Sequence, residues 1–100
     1  MNTEQARTFL EVAATGNFNR AAARLNVTQS TVSARIRALE DSLGQRLFER
    51  DKAGARLTEA GRRFRRHAEA LMRTWQQARQ EIALPSGFRG VISLGAEPNL

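Results

Sequence analysis

Val32, Ile36, Leu39 and Leu43 follow one another at offsets of 4, 3 and 4, the beat of a single stripe along an α-helix. The same period sets Ala6, Phe9, Leu10 and Ala13 on an earlier helix. Asn2 or Thr3 can cap that helix, and Gly16-Asn17 ends it. Between the two lies a short helix, Arg20 to Leu25, with Asn19 as its predicted cap and Phe18 as a hydrophobic staple. Its Ala21-Ala22-Ala23 run lets another helix cross at close range. Asn26-Val27 then makes a tight turn, and Thr28 caps the striped helix, which runs to about Ser42 and stops at Gly44. Small residues in one helix, a turn of a few residues and an apolar stripe in the next describe a helix-turn-helix.

Past Gly44 the period shortens. "QRLFER" and "ARLT" alternate enough for two short strands, with "DKAG" as the turn between them. This hairpin is a candidate wing and carries Arg50, Lys52 and Arg56. Thr58 then caps a long helix from Glu59 to about Leu84, closed by "PSG". Along it Leu57, Gly61, Phe64, Ala68, Leu71, Trp75, Ala78 and Ile82 alternate offsets of 4 and 3, a heptad seam. Such a helix is expected to be too long and too one-sided to fold onto the small N-terminal core. The seam therefore predicts pairing with a second helix through Phe64, Ala68, Leu71, Trp75, Ala78 and Ile82. "GVISLGAEPNL" opens like a buried strand whose partners lie outside the chain. The predicted fold is mainly α. A winged helix-turn-helix of three helices and a two-stranded wing occupies 1–58, a linker and dimerisation helix 59–84, and a hinge with a first strand 85–100.

Composition changes the picture by adding a partner. Sixteen bases against 10 acids leave a net charge of +6, and 15 of the 16 are Arg, the side chain suited to bidentate phosphate and guanine contacts. That balance favours a polyanion, although an anionic membrane surface or an acidic protein would also answer it. With no cysteine, disulfides and thiolate metal sites are excluded. No apolar run nears the roughly 18 residues of a membrane span, and no signal-peptide core opens the chain, so a soluble, cytoplasmic protein is expected. One histidine, no tyrosine and no paired acids argue against an enzyme, and no cofactor is called for.

The polar side of the striped helix carries the candidate chemistry. Its first turns hold Gln29, Ser30, Ser33, Ala34 and Arg37, with acids held back to Glu40 and Asp41. A helix entering the major groove needs short side chains near its N-terminus and longer donors along the same face. Gln29 can pair with adenine, Ser30 and Ser33 can reach bases or phosphates, Ala34 can meet a thymine methyl, and Arg37 can reach guanine or a phosphate. Thr28 and the free N–H groups beside it suit a phosphate oxygen. "RRFRRH" (62–67) reads more simply as the wet outside of a coiled coil, and His67 as a surface histidine.

"FNRAAARLNVTQSTVSARIRALEDSLGQRLFER", followed by "RLTEAG", resembles the N-terminal segment of LysR-type transcriptional regulators. The resemblance spans residue 2 to about 95. It implies a winged helix-turn-helix, a dimerising linker helix and an effector-binding domain beginning near Gly90. By that likeness Gln29 and Ser33 touch bases, while Thr28, Thr31, Arg37 and Arg50 bind backbone and the wing approaches the minor groove. Arg35, Lys52 and Arg56 complete the expected backbone contacts. The partners implied are double-stranded operator DNA and a second copy of the chain, with a tetramer open to the full-length protein and any effector confined to the segment beyond this chain. The competing reading is a basic coiled-coil interaction module without specific DNA binding, which leaves the Gln29–Arg37 face without a purpose.

Overall fold

A computed structural model describes residues 2–83. The expected hinge and strand over 85–100 lie outside the described residues. The elements are α1 (Thr3–Thr15), α2 (Phe18–Leu25), α3 (Gln29–Leu43), β1 (Phe48–Asp51), β2 (Gly54–Leu57) and α4 (Glu59–Ala83). The strands pair antiparallel, Phe48 opposite Leu57 and Asp51 opposite Gly54.

Local chemistry sets each boundary. Asn2 caps α1, its Oδ1 accepting the Gln5 N–H at 2.8 Å, and Gly16 closes the helix in the left-handed conformation. The cap of α2 is Asn17 rather than the expected Asn19: Asn17 is extended and its Oδ1 accepts the Arg20 N–H at 2.9 Å. Phe18 is therefore the first helical residue, not a staple outside the helix. Thr28 caps α3, accepting the Thr31 N–H at 3.1 Å. Thr58 caps α4 through the Gly61 N–H at 3.0 Å and also donates its hydroxyl to the Arg46 carbonyl at 2.6 Å. One threonine thus starts α4 and ties it to the chain leading into β1.

The core gathers between α1, α2, α3 and the wing. Phe9, Val12, Ala21, Val32, Leu39, Leu47 and Phe48 are buried, at about 25 cal/mol per Å² of apolar surface withdrawn from water. Phenylalanines run through it as a chain. Phe9 packs edge-on to Phe64 at 5.0 Å and tilted on Phe48 at 5.2 Å, and Phe48 meets Phe18 edge-on at 6.0 Å. The α3 stripe is buried at Val32, Ile36 and Leu39, but Leu43 emerges 44% exposed, because the helix outruns the core by its last turn.

The long helix corrects an expectation. Its first three turns fold onto α1: Phe64 meets Phe9 edge-on, and Ala68 is fully buried. These two seam residues are core of the N-terminal domain, so its packing unit continues past residue 58. Helix α1 supplies the apolar face that the local pattern could not reveal. Farther along, Leu71 and Trp75 are 42% and 43% exposed and Ile82 is 85% exposed. Only this second half of the seam is free.

Candidate nucleic-acid interface

The cap at Thr28 leaves the first turn of α3 open on its outer side. Ser30, Ala34 and Arg37 are exposed there, and Gln29 and Ser33 are half-buried beside them. The Gln29 side-chain N–H donates to Ser33 Oγ at 3.2 Å, so these two polar groups are ordered on one strip. Thr28 and Thr31 share a hydroxyl contact of 3.0 Å at the helix start. A helix N-terminus with unspent N–H groups favours an anion.

Strand β1 runs beside this strip. A groove between them is lined by Ser33, Arg37 and Glu40 from α3 and by Phe18, Phe48 and Arg50 opposite. The Arg50 guanidinium lies 3.9 Å above the Phe18 ring centre. Lys52 sits in the exposed hairpin turn, where Asp51 Oδ1 accepts the Ala53 N–H at 2.9 Å. Arg56 crosses to Asp51 at 3.1 Å, so its charge is partly answered.

Charge is distributed unevenly. Among the described residues Arg20, Arg37, Arg50 and Lys52 enter no ion pair, whereas Arg24 is held by Glu11 at 2.8 Å and Arg35 by Glu4 at 3.4 Å. Arg35 departs from its expected place. It turns toward α1, donates to Thr8 Oγ1 at 3.3 Å and is half-buried, so it fastens α3 to α1 rather than facing the groove. At the start of α4 the Arg62 guanidinium, hydrogen-bonded to Glu59, holds that exposed carboxyl below the usual carboxylate range.

Two supports of the site were not legible in the pattern. Glu40 is no spectator at the far end of α3: its Oε2 accepts the Leu47 N–H at 2.8 Å and the Phe48 N–H at 3.4 Å, pinning the wing to α3. Residues 40 and 47 lie on different elements, and no local periodicity links them. The wing is also docked at its other end. The Ala55 N–H donates to the Gly16 carbonyl at 2.9 Å, and Gly54, at φ +133°, approaches that carbonyl so closely that a Cβ would collide with it. A glycine in a hairpin signals a turn, but not this second task.

Among the described residues no cluster of three His, Cys, Asp or Glu forms a metal-sized site, and no helix is long and apolar enough to cross a membrane.

Residues 3–62 match the family described as bacterial regulatory helix-turn-helix protein, lysR family. The chain is 50% identical over all of its 100 residues to the HTH-type transcriptional regulator HdfR of Salmonella typhimurium, and spans 36% of that relative's length. A crystal structure of the CbnR DNA-binding domain in complex with DNA superposes with a TM-score of 0.79 at 34% identity, over 82% of this chain and 94% of that one. Vibrio fischeri DarR, also solved in complex with DNA, gives 0.79 at 35% identity over 83% of this chain and 28% of its own. With the match over residues 3–62 and the superposition of its helices and wing, the chain belongs to the LysR family of bacterial regulatory helix-turn-helix proteins.

Proposed function

We propose that this chain is the operator-recognising segment of a transcription regulator acting in the cytoplasm. Helix α3 enters the major groove with Gln29, Ser30, Ser33, Ala34 and Arg37 at base edges. Thr28, Thr31, Arg50 and Lys52 hold the sugar-phosphate backbone, with Arg56 assisting from the wing. Two copies join through Leu71, Trp75, Ala78 and Ile82 and set the separation of two half-sites. An effector is bound by a segment that follows this one.

The observation that carries this reading is the outer face of α3. Its first two turns are small or polar and free of acid, and they are flanked by cations without ion-pair partners among the described residues. A coiled-coil module with no nucleic-acid partner has no use for such a face. The likeness to LysR-family proteins solved in complex with DNA supports a DNA partner.

Base readout separates from backbone binding in a pair of variants. Gln29→Ala is expected to cost about 1–3 kcal/mol on the preferred site and little on random DNA. Arg50→Ala is expected to weaken both and to lower the slope of log affinity against log salt by about one. Fluorescence anisotropy on an operator selected from a random library, and on scrambled DNA, measures both. Equal weakening of the two DNAs by Gln29→Ala would place α3 outside the groove.

A further inference from the structure

The Arg50 guanidinium is exposed and enters no ion pair among the described residues, yet it is not loose. It lies over the Phe18 ring with its central carbon 3.9 Å from the ring centre. Phe18 in turn is buried, at the first position of α2 and edge-on to Phe48 at 6.0 Å. Phe48 stands two residues before Arg50 on β1, so the ring that holds the guanidinium rests against the strand that carries it. Phe18, Ser33, Arg37 and Arg50 all open into the one groove between α3 and the wing.

The chemistry of this seat is selective. A carboxylate would hold an arginine by occupying its N–H donors and cancelling its charge, as Asp51 does for Arg56. An aromatic face holds the cation through the ring quadrupole and touches only the flat of the guanidinium. The five N–H donors and the full positive charge stay available at the edge. Ordering is supplied in advance, so less side-chain freedom is lost when an anion arrives.

We propose that Phe18 is the positioning residue for Arg50: its ring presets the guanidinium for a backbone phosphate at the edge of the α3 groove. This rests on the DNA-binding reading above, with Arg50 as a phosphate contact.

The test is a double-mutant cycle in operator affinity, supported by an isosteric probe. Phe18→Leu keeps an apolar side chain in the core but removes the π face, and is expected to weaken binding by about 3- to 10-fold, the scale of ordering one rotamer-rich side chain on binding. The salt slope should stay at the wild-type value, because the charge still reaches the phosphate. In an Arg50→Ala background Phe18→Leu should cost nothing further. Pentafluorophenylalanine placed at position 18 alone nearly preserves the ring's shape and reverses the potential of its face, and is expected to reproduce the Phe18→Leu loss with thermal stability retained. The proposal is overturned by full affinity with the fluorinated ring, or by an equal Phe18→Leu penalty with and without Arg50. An Arg50→Ala variant that keeps wild-type affinity and salt slope also overturns it, while the Gln29→Ala result still judges the DNA-binding reading independently.

Discussion

Leu71→Glu is expected to give a folded monomer that binds a single half-site almost normally and loses about 10²- to 10⁴-fold in affinity for the full operator. One winged helix-turn-helix meets only a few base pairs. Two held at a fixed separation make the second contact intramolecular, and that gain disappears when the copies part. The choice of residue follows from the packing of α4. Phe64 and Ala68 lie within the protomer's own core, so a charge there would unfold the domain and confuse the result. Leu71 is 42% exposed and borders a groove with Asn2, Thr3 and Ala6 of α1 and with Thr74, Trp75 and Ala78 of α4. In the single chain a glutamate there keeps its water; in a paired seam it would be desolvated without a partner, at several kcal/mol. Trp75, the single tryptophan and 43% exposed, reports the same event, its emission shifting red as the wild-type dimer dilutes apart. Sedimentation that finds the Leu71→Glu protein still dimeric, or the wild type monomeric at high micromolar concentration, would refute this role for the seam.

Gly61→Ala should lower stability by about 2 kcal/mol, opposite in sign to what helix propensity alone predicts. Alanine in the interior of a helix is worth about 1 kcal/mol over glycine. At Gly61, however, α4 crosses the strand entry so closely that a Cβ would collide with the Leu47 carbonyl oxygen and stand 2.9 Å from Leu57 Cδ2. The Leu57 side chain can move, but the Leu47 carbonyl cannot easily, because it accepts the Thr58 N–H at 3.0 Å. Forcing a methyl against fixed backbone costs roughly 3 kcal/mol and outweighs the propensity gain. For a domain of this size the loss corresponds to a fall in Tm of about 8–16 °C. A Tm equal to or above wild type would mean that α4 can lift off the wing at no cost.

Those two residues mark how far the pattern could be read. Along the chain Gly61 stands only as one small member of the heptad seam. That the obstacle is the Leu47 carbonyl was not visible, since it depends on where β1 enters. The heptad seam was visible from Leu57 to Ile82, but its division was not. Periodicity records that a face is apolar, not whether α1 or another copy covers it. The same limit explains Arg35, which one turn of helix places near the candidate interface and which Glu4 and Thr8 draw to the other side.

The sequence by itself determined the number and kind of helices, the caps at Thr28 and Thr58, the choice of Asn2 or Thr3 for the first, the two-stranded wing and the acid-free outer face of α3. These are local properties, in which each residue's neighbours within a turn or two decide the outcome. Tertiary structure decided the rest: Glu40 holding the wing, Phe18 beneath Arg50, Gly54 against Gly16, and Phe64 and Ala68 in the core. Each of these joins elements whose contact no residue pattern encodes. The enthalpy of a partly buried carboxylate on two N–H groups, or of a ring beneath a guanidinium, exists only after hydrophobic burial has brought the helices and the hairpin together.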